Sequence, residues 1–244
     1  MIIQCDAKGL EIYCGAYLSQ DTVLMDELRA GLDIHGINQR VLGLPEGDIG
    51  RLIAKIFIFR LMYGGSAYSY SKDSDFIHVS SSEKFWQQKI DEFYHKYKGF
   101  AQWHIQIVRD ATKNGYLDMP TGRRYNYSLV RNFRGELEAP QTTIKNYPVQ
   151  GLGADVMSVA RVSCRRRWQN QNVNGILVNT VHDSIVGDIQ QSEVEKAALL
   201  FHGVFDSLPD NFKRVFGVEF NLPLRCEVKY GYNSTDMEEW KIAA

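Results

Sequence analysis

The stretch Gly175-Ile176-Leu177-Val178-Asn179-Thr180-Val181-His182-Asp183-Ser184-Ile185-Val186-Gly187 decides the fold. Its first half is rich in aliphatic and β-branched side chains, His182-Asp183 supplies a tight turn, and a second apolar run follows. It reads as two strands joined by a short connection. The opening Ile2-Ile3-Gln4-Cys5 reads as another short strand, and Leu222 to Tyr230 as a last one. Strands at both ends of the chain with helices between them predict an α+β protein, a sheet carrying an inserted helical subdomain.

Between these strands the period changes. After a turn at Asp6-Ala7-Lys8-Gly9, the residues Leu10, Tyr13, Cys14, Tyr17 and Leu18 recur at helical spacing. Residues 21 to 115 read as mostly helical. One helix runs from about Ile49 to Tyr63 and stops at Gly64-Gly65. A later one carries Phe85, Trp86, Ile90, Phe93, Tyr94 and Tyr97, whose rings read as core. Leu117 to Tyr127, with Pro120 and Gly122, reads as a hairpin or loop. Gln150 to Arg167 reads as a helix with Leu152, Val156, Val159 and Ala160 on one side, and Val194 to Phe205 as another.

Composition narrows the function classes. Hydrophobic residues at 44% and charged residues at 23% fit a folded globular chain and exclude a disordered or collagen-like one. No apolar run approaches the ~20 residues that span a bilayer, so no membrane partner is expected. The N-terminus lacks the basic and apolar regions of a secretory signal. The cysteines Cys5, Cys14, Cys164 and Cys226 form no CxxC pair, which speaks against zinc and for reduced thiols in a cytoplasm. With 28 basic against 29 acidic residues the chain is no DNA-coating protein, so nucleic-acid contact must come from patches such as Arg161 to Arg167 or Arg123-Arg124.

Two features carry chemistry. Arg51, Lys55, Phe59 and Tyr63 recur every four residues and share one broad helix face. Like charges at that spacing repel by a few tenths of a kcal/mol, and nothing acidic on the face offsets them. Cations beside aromatics suit a polyphosphate joined to a base. The same spacing fits a surface helix whose aromatics enter the core. The second feature is a pair of distant aspartates, Asp6 at the end of one strand and Asp183 at a turn after another. Carboxylates on adjacent strand ends can hold two divalent cations about 3.5–4 Å apart, and Mg²⁺ suits such a site. Taken singly, each aspartate fits a turn former better than a ligand.

The ordered set Asp6-Ala7-Lys8-Gly9-Leu10-Glu11, Arg51-x3-Lys55-x3-Phe59-x3-Tyr63-Gly64 and His182-Asp183 resembles the three polymerase motifs of family A DNA polymerases. Asp33-Ile34-His35 is similar to the family's fingers signature. Tyr97-Lys98-Gly99, Gly115-Tyr116 and Thr121-Gly122-Arg123-Arg124 resemble the stretch leading back into the palm. Asn146-Tyr147-Pro148-Val149-Gln150-Gly151 with Ala154-Asp155 resembles the helix near the primer. Lys229-Tyr230-Gly231 with Trp240 is similar to the ending of phage members. The resemblance covers essentially the whole chain.

It implies a template-directed DNA polymerase that moves a dNMP onto a primer 3′-OH with two Mg²⁺ ions. Asp6 and Asp183 are the implied metal carboxylates and, with Lys55 as general acid, the implied catalytic residues. Arg51, Lys55 and His35 would hold the triphosphate, Phe59 would flank the incoming nucleotide, Tyr63 would pack near the templating position, and Glu11 would exclude a ribose 2′-OH. Asn146, Gln150, His182, Arg123 and Arg124 would contact DNA. The chain departs from the family pattern at Ser184, where Glu usually follows His-Asp, at Gly9, Tyr13 and Arg60, and at Thr142, a position often basic. Family organisation implies an antiparallel palm sheet from 1–20 and 118–244 around helical fingers at 21–117, without thumb and exonuclease domains. The expected partners are primer-template DNA, dNTPs and a separate N-terminal chain bearing a thumb or exonuclease, in the cytoplasm of a bacterial host if the chain is phage-encoded. Two competing functions are a non-catalytic polymerase-fold fragment that binds DNA or assembles with other subunits, and a single-subunit RNA polymerase, against which Glu11 argues.

Overall fold

The computed structural model describes residues 1–132 and 134–241. In chain order its elements are β1 (Ile2–Ala7), α1 (Leu10–Ser19), α2 (Thr22–Arg29), α3 (Ile34–Val41), α4 (Asp48–Met62), α5 (Ala67–Lys72), α6 (Glu83–Lys96), α7 (Lys98–Asn114), β2 (Tyr116–Asp118), β3 (Arg124–Asn126), β4 (Val130–Arg131), β5 (Leu137–Glu138), α8 (Gln141–Asn170), β6 (Gly175–Val181), β7 (Ser184–Ile189), α9 (Val194–Asp206), α10 (Leu208–Phe216), β8 (Cys226–Gly231) and β9 (Met237–Trp240). The chain is α+β, as expected. It divides into two compact units, Met1–Leu10 with Gly151–Ala244, and Glu11–Gln150. Among the described residues no helix is long and apolar enough to cross a membrane.

The first unit is built on an antiparallel sheet of order β6-β7-β1-β8-β9. Its period of two separates a dry face from a wet one. Ile3, Cys5 and Ala7 of β1, Ile185 and Ile189 of β7, and Cys226 and Val228 of β8 are buried. Trp168 of α8 lies against this face at Gly187, where a Cβ would come within 2.5 Å of its ring, so only glycine fits. Phe201 of α9 meets the same indole edge-on at 5.4 Å. Burying a side chain like Phe201 stabilises the unit by roughly 1.5–3 kcal/mol. Gln4, Asp6, Glu227 and Lys229 lie on the other face, half-buried.

The second unit is mostly helical. One buried carboxylate, Asp21, organises two of its helices. Its Oδ1 accepts from the Leu24 N–H at the start of α2, at 2.8 Å, and its Oδ2 from the Phe100 N–H at the start of α7, at 3.1 Å. Gly99 is small because of this double cap, since a Cβ there would meet the Asp21 backbone at 2.9 Å. An aromatic core forms from Phe57, Tyr70, Phe76 and Trp86. Its two polar rings are satisfied: the Tyr70 hydroxyl donates to the Phe57 carbonyl and the Trp86 indole N–H to that of Ser80, both at 2.8 Å.

Several elements differ from the sequence reading. Helix α8 begins at Gln141, not Gln150, and runs through Pro148. An internal proline removes one backbone hydrogen bond and costs about 3 kcal/mol, here offset by burial of Ile144 and Val149 on either side of it. Strand β8 begins only at Cys226, and β1 continues through Ala7, so Asp6 is a strand residue. Helix α10 and the β4–β5 and β8–β9 hairpins were not foreseen.

Candidate active site

The first unit brings the two aspartates together. Asp6 stands opposite Ser184 in the β1–β7 register, and the Ala7 N–H donates to the Asp183 carbonyl at 2.9 Å. Val181 pairs with Ser184, so His182-Asp183 forms a two-residue hairpin connection. His182 takes up the left-handed backbone this requires, at φ 52°. Both aspartates are half-buried and His182 is exposed. Burial holds the Asp6 carboxyl above its ordinary pKa, a hydrogen bond from Gln4 works the other way, and repulsion from Asp183 adds to the rise. The two carboxylates are therefore close enough to interact.

These residues fit a divalent ion. They are hard oxygen donors held near each other against repulsion, which a cation would relieve. Neither forms an ion pair among the described residues. Among the described residues no group of three or more histidine, cysteine or acidic side chains is placed to ligate a metal. Two protein carboxylates leave positions for water and phosphate oxygens, as Mg²⁺ prefers.

In the second unit, α4 turns Ile53, Ala54, Phe57, Ile58, Leu61 and Met62 inward. Arg51 and Lys55 are exposed on its other side, with Phe59 and Tyr63 half-buried. The Lys55 ammonium lies 5.4 Å from the Phe59 ring centroid, and the His35 ring meets Phe59 edge-on at 5.6 Å. Arg51, Lys55, His35 and Phe59 thus form one cluster across α3 and α4. The sequence reading found no acid to offset the two cations. The structure supplies one from α3, because Asp33 accepts from Arg51 Nε and Nη2 at 3.1 and 2.9 Å. Burial first, then the Arg51 charge, lowers His35 to a pKa of about 4. Its imidazole is neutral at physiological pH, and its buried Nδ1 has no hydrogen-bond partner among the described residues.

A second cluster joins Glu11, Tyr63 and Gln150. The Gln150 amide donates to the Tyr63 hydroxyl. Burial and then the Glu11 charge push that hydroxyl up to about 12, so it stays protonated. Of the basic pair expected to meet DNA, Arg124 is committed elsewhere. Its guanidinium makes two bonds to Asp118, at 2.6 and 2.7 Å, and lies 3.9 Å from the Tyr116 ring centroid. Arg123 is exposed in the β2–β3 turn. Asn146 is half-buried on α8, next to Tyr147, which packs on Tyr125 and Tyr127 at 5.6 and 6.3 Å.

The parts three residues play in these clusters were missed in the sequence reading: Gln4, Glu227 and Asp33, the last placed only in the fingers signature. Gln4 was findable, because a residue two before Asp6 on a strand shares its face. The other two depend on register and helix pairing, which one sequence does not reveal.

A family model described as DNA polymerase family A matches residues 1–236. The chain belongs to DNA polymerase family A. Its relatives include DNA polymerase I of Chloroflexus aurantiacus, 27% identical over 210 residues, covering 84% of this chain and 22% of that protein. DNA polymerase I of Aquifex aeolicus is 28% identical over 200 residues, covering 78% and 33%. That of Mycobacterium tuberculosis is 26% identical over 249 residues, covering 100% and 25%. The chain thus spans at most a third of the length of these family A relatives. The fold is similar to the POL domain of Pol1 from M. smegmatis in complex with DNA primer-template and dNTP. The TM-score is 0.77 at 22% identity, over 94% of this chain and 39% of that one. Family A polymerases are metal-dependent.

Proposed function

We propose that this chain is the palm and fingers portion of a DNA-directed DNA polymerase, with palm at 1–20 and 118–244 and fingers at 21–117. It would join a primer 3′-OH to the α-phosphate of a template-selected dNTP and release pyrophosphate. The observation that carries this reading is the convergence of Asp6 and Asp183, two half-buried carboxylates on neighbouring strand ends in a family A chain.

Asp6 and Asp183 would hold two divalent ions, with Mg²⁺ the proposed species. When bound, these ions acidify the primer hydroxyl and offset the charge of the leaving group. Arg51 and Lys55 bind the triphosphate, and Lys55 donates a proton to the departing pyrophosphate oxygen. His35 assists as a neutral hydrogen-bonding group, because its lowered pKa removes its charge. Phe59 flanks the nucleotide, and Glu11, beside the Tyr63–Gln150 hydrogen bond, excludes a 2′-OH. Gln150, Asn146 and His182 meet the primer end or minor groove, where acceptors common to all bases are readable without sequence preference. Arg123 and Arg124 contact backbone phosphates, Arg124 after leaving Asp118.

Net charge is −1, and phosphate contacts supply most non-specific DNA affinity. Processive synthesis would therefore need a thumb-bearing polypeptide besides these 244 residues. Robust processive extension without one would refute that requirement. The test of the function itself is single-nucleotide primer extension on four templates differing at one base, with dNTPs and NTPs. The reading requires incorporation of the complementary dNTP each time, in preference to the NTP. Incorporation indifferent to the template base would overturn it.

A further inference from the structure

Two lysines stand near Asp6, yet among the described residues neither pairs with it. Lys229 is on the adjacent strand, opposite Gln4, and its charge is felt at Asp6. Lys8 follows two residues later. Both ammonium groups turn instead to Glu227: Lys229 Nζ lies 3.3 Å from Oε2 and Lys8 Nζ 4.0 Å from Oε1. Glu227 sits directly across from Asp6 in the β1–β8 register, on the same face of the sheet. Like charges placed directly opposite one another repel across a strand pair, and here the two lysines lie on the Glu227 side of that pair. Gln4 completes the surroundings. Its amide nitrogen donates to both Asp6 carboxylate oxygens, at 3.2 and 3.0 Å.

We infer that Glu227 is a positioning residue for the metal carboxylate. It draws Lys8 and Lys229 away and leaves Asp6, oriented by Gln4, open to a divalent cation. An ammonium group resting on Asp6 would compete with the ion for the same oxygens. A glutamate across the strand gives the lysines another anion to hold. The neutral Gln4 amide fixes the carboxylate direction without cancelling its charge, as outer partners of metal ligands commonly do. Glu227 acts through the lysines and not as a ligand.

The inference rests on reading Asp6 and Asp183 as metal carboxylates, and the experiment separates the two. Mn²⁺ is titrated into the purified protein and free Mn²⁺ is followed by electron paramagnetic resonance, with circular dichroism confirming the fold. Glu227→Gln weakens Mn²⁺ affinity about tenfold, the scale typical of outer-sphere partners. Adding Lys229→Met to that variant returns affinity most of the way to the parent value, whereas Lys229→Met alone changes it little, because Glu227 already holds that lysine in the parent; an equal gain in both backgrounds is plain charge removal and overturns the role of Glu227. Unchanged affinity in Glu227→Gln, or a double variant as weak as the single one, overturns the role of Glu227. Unchanged affinity in Asp183→Asn removes the metal site, and this inference with it.

Discussion

Asp6 is held where its charge is unwelcome. Burial and the nearby Asp183 raise its pKa, and a carboxylate so shifted costs stability once ionised, at pH values above that pKa. Asp6→Asn is therefore expected to raise the melting temperature at pH 7 while removing nucleotide incorporation; a lower melting temperature would show that the carboxylate is structural. Asp183→Ala should lose several kcal/mol of transition-state stabilisation, about a thousandfold in rate, with its circular dichroism spectrum unchanged. Lys55→Ala should raise the KM for dNTP and lower kcat, and an unaltered rate would remove Lys55 from its role. Glu11→Ala should admit NTPs that the parent rejects, as read by competition between a dNTP and its NTP. Two buried histidines add to the acid sensitivity of the fold. Burial depresses His35 to about 4 and His104 to about 3, so between those values and about 6.5 the unfolded chain binds more protons. Their neutral burial contributes stability that is complete above about 6.5 and lost as pH falls through that window. The slope approaches roughly 1.4 kcal/mol per pH unit for each histidine, and His104→Gln should flatten it in urea melts at stepped pH. A slope unaffected by that substitution would place the acid sensitivity elsewhere.

Helix α4 shows what an element's sequence reveals and what it hides. Its four-residue recurrence and its Gly64 stop are visible in the chain, and Gly64 takes the expected left-handed backbone at φ 85°. The salt bridge that answers Arg51 comes from Asp33 on another helix, and no periodicity reports it. The same division holds in the sheet. The strands of the His182-Asp183 hairpin and the first strand were legible because alternating apolar runs flank recognisable turns. Strand β9, Met237–Trp240, was not, because Glu238 and Glu239 give it no apolar alternation. Pro148 made the start of α8 unreadable, since local chemistry argues for a break that packing overrides. Asp21 is the element-scale prediction. Removing an N-cap costs about 1 kcal/mol, and Asp21 caps two helices while buried, so Asp21→Ala should destabilise by roughly 2 kcal/mol or more. A denaturant midpoint unchanged from the parent would deny the double cap.

For the molecule as a whole, the order of motifs along the chain conveys more than any single one. A lone His-Asp turn or a lone basic helix fits many proteins, whereas the ordered series spans both compact units and coincides with family A membership. The sheet unit supplies the paired carboxylates and the helical unit supplies the Arg51–Lys55–His35–Phe59 and Glu11–Tyr63–Gln150 clusters. Of the departures from the family pattern, Ser184 stands opposite Asp6 in the sheet, and neither aspartate is itself replaced. The central claim is that Asp6 and Asp183 together carry the metal for templated nucleotidyl transfer. Its most direct test is single-turnover incorporation of one dNTP, with protein in excess over primer-template at low salt, with and without Mg²⁺. The account predicts Mg²⁺-dependent extension of the primer by one nucleotide in the parent and none in Asp183→Asn. Extension that survives in Asp183→Asn, or that proceeds equally with the metal chelated, would contradict it.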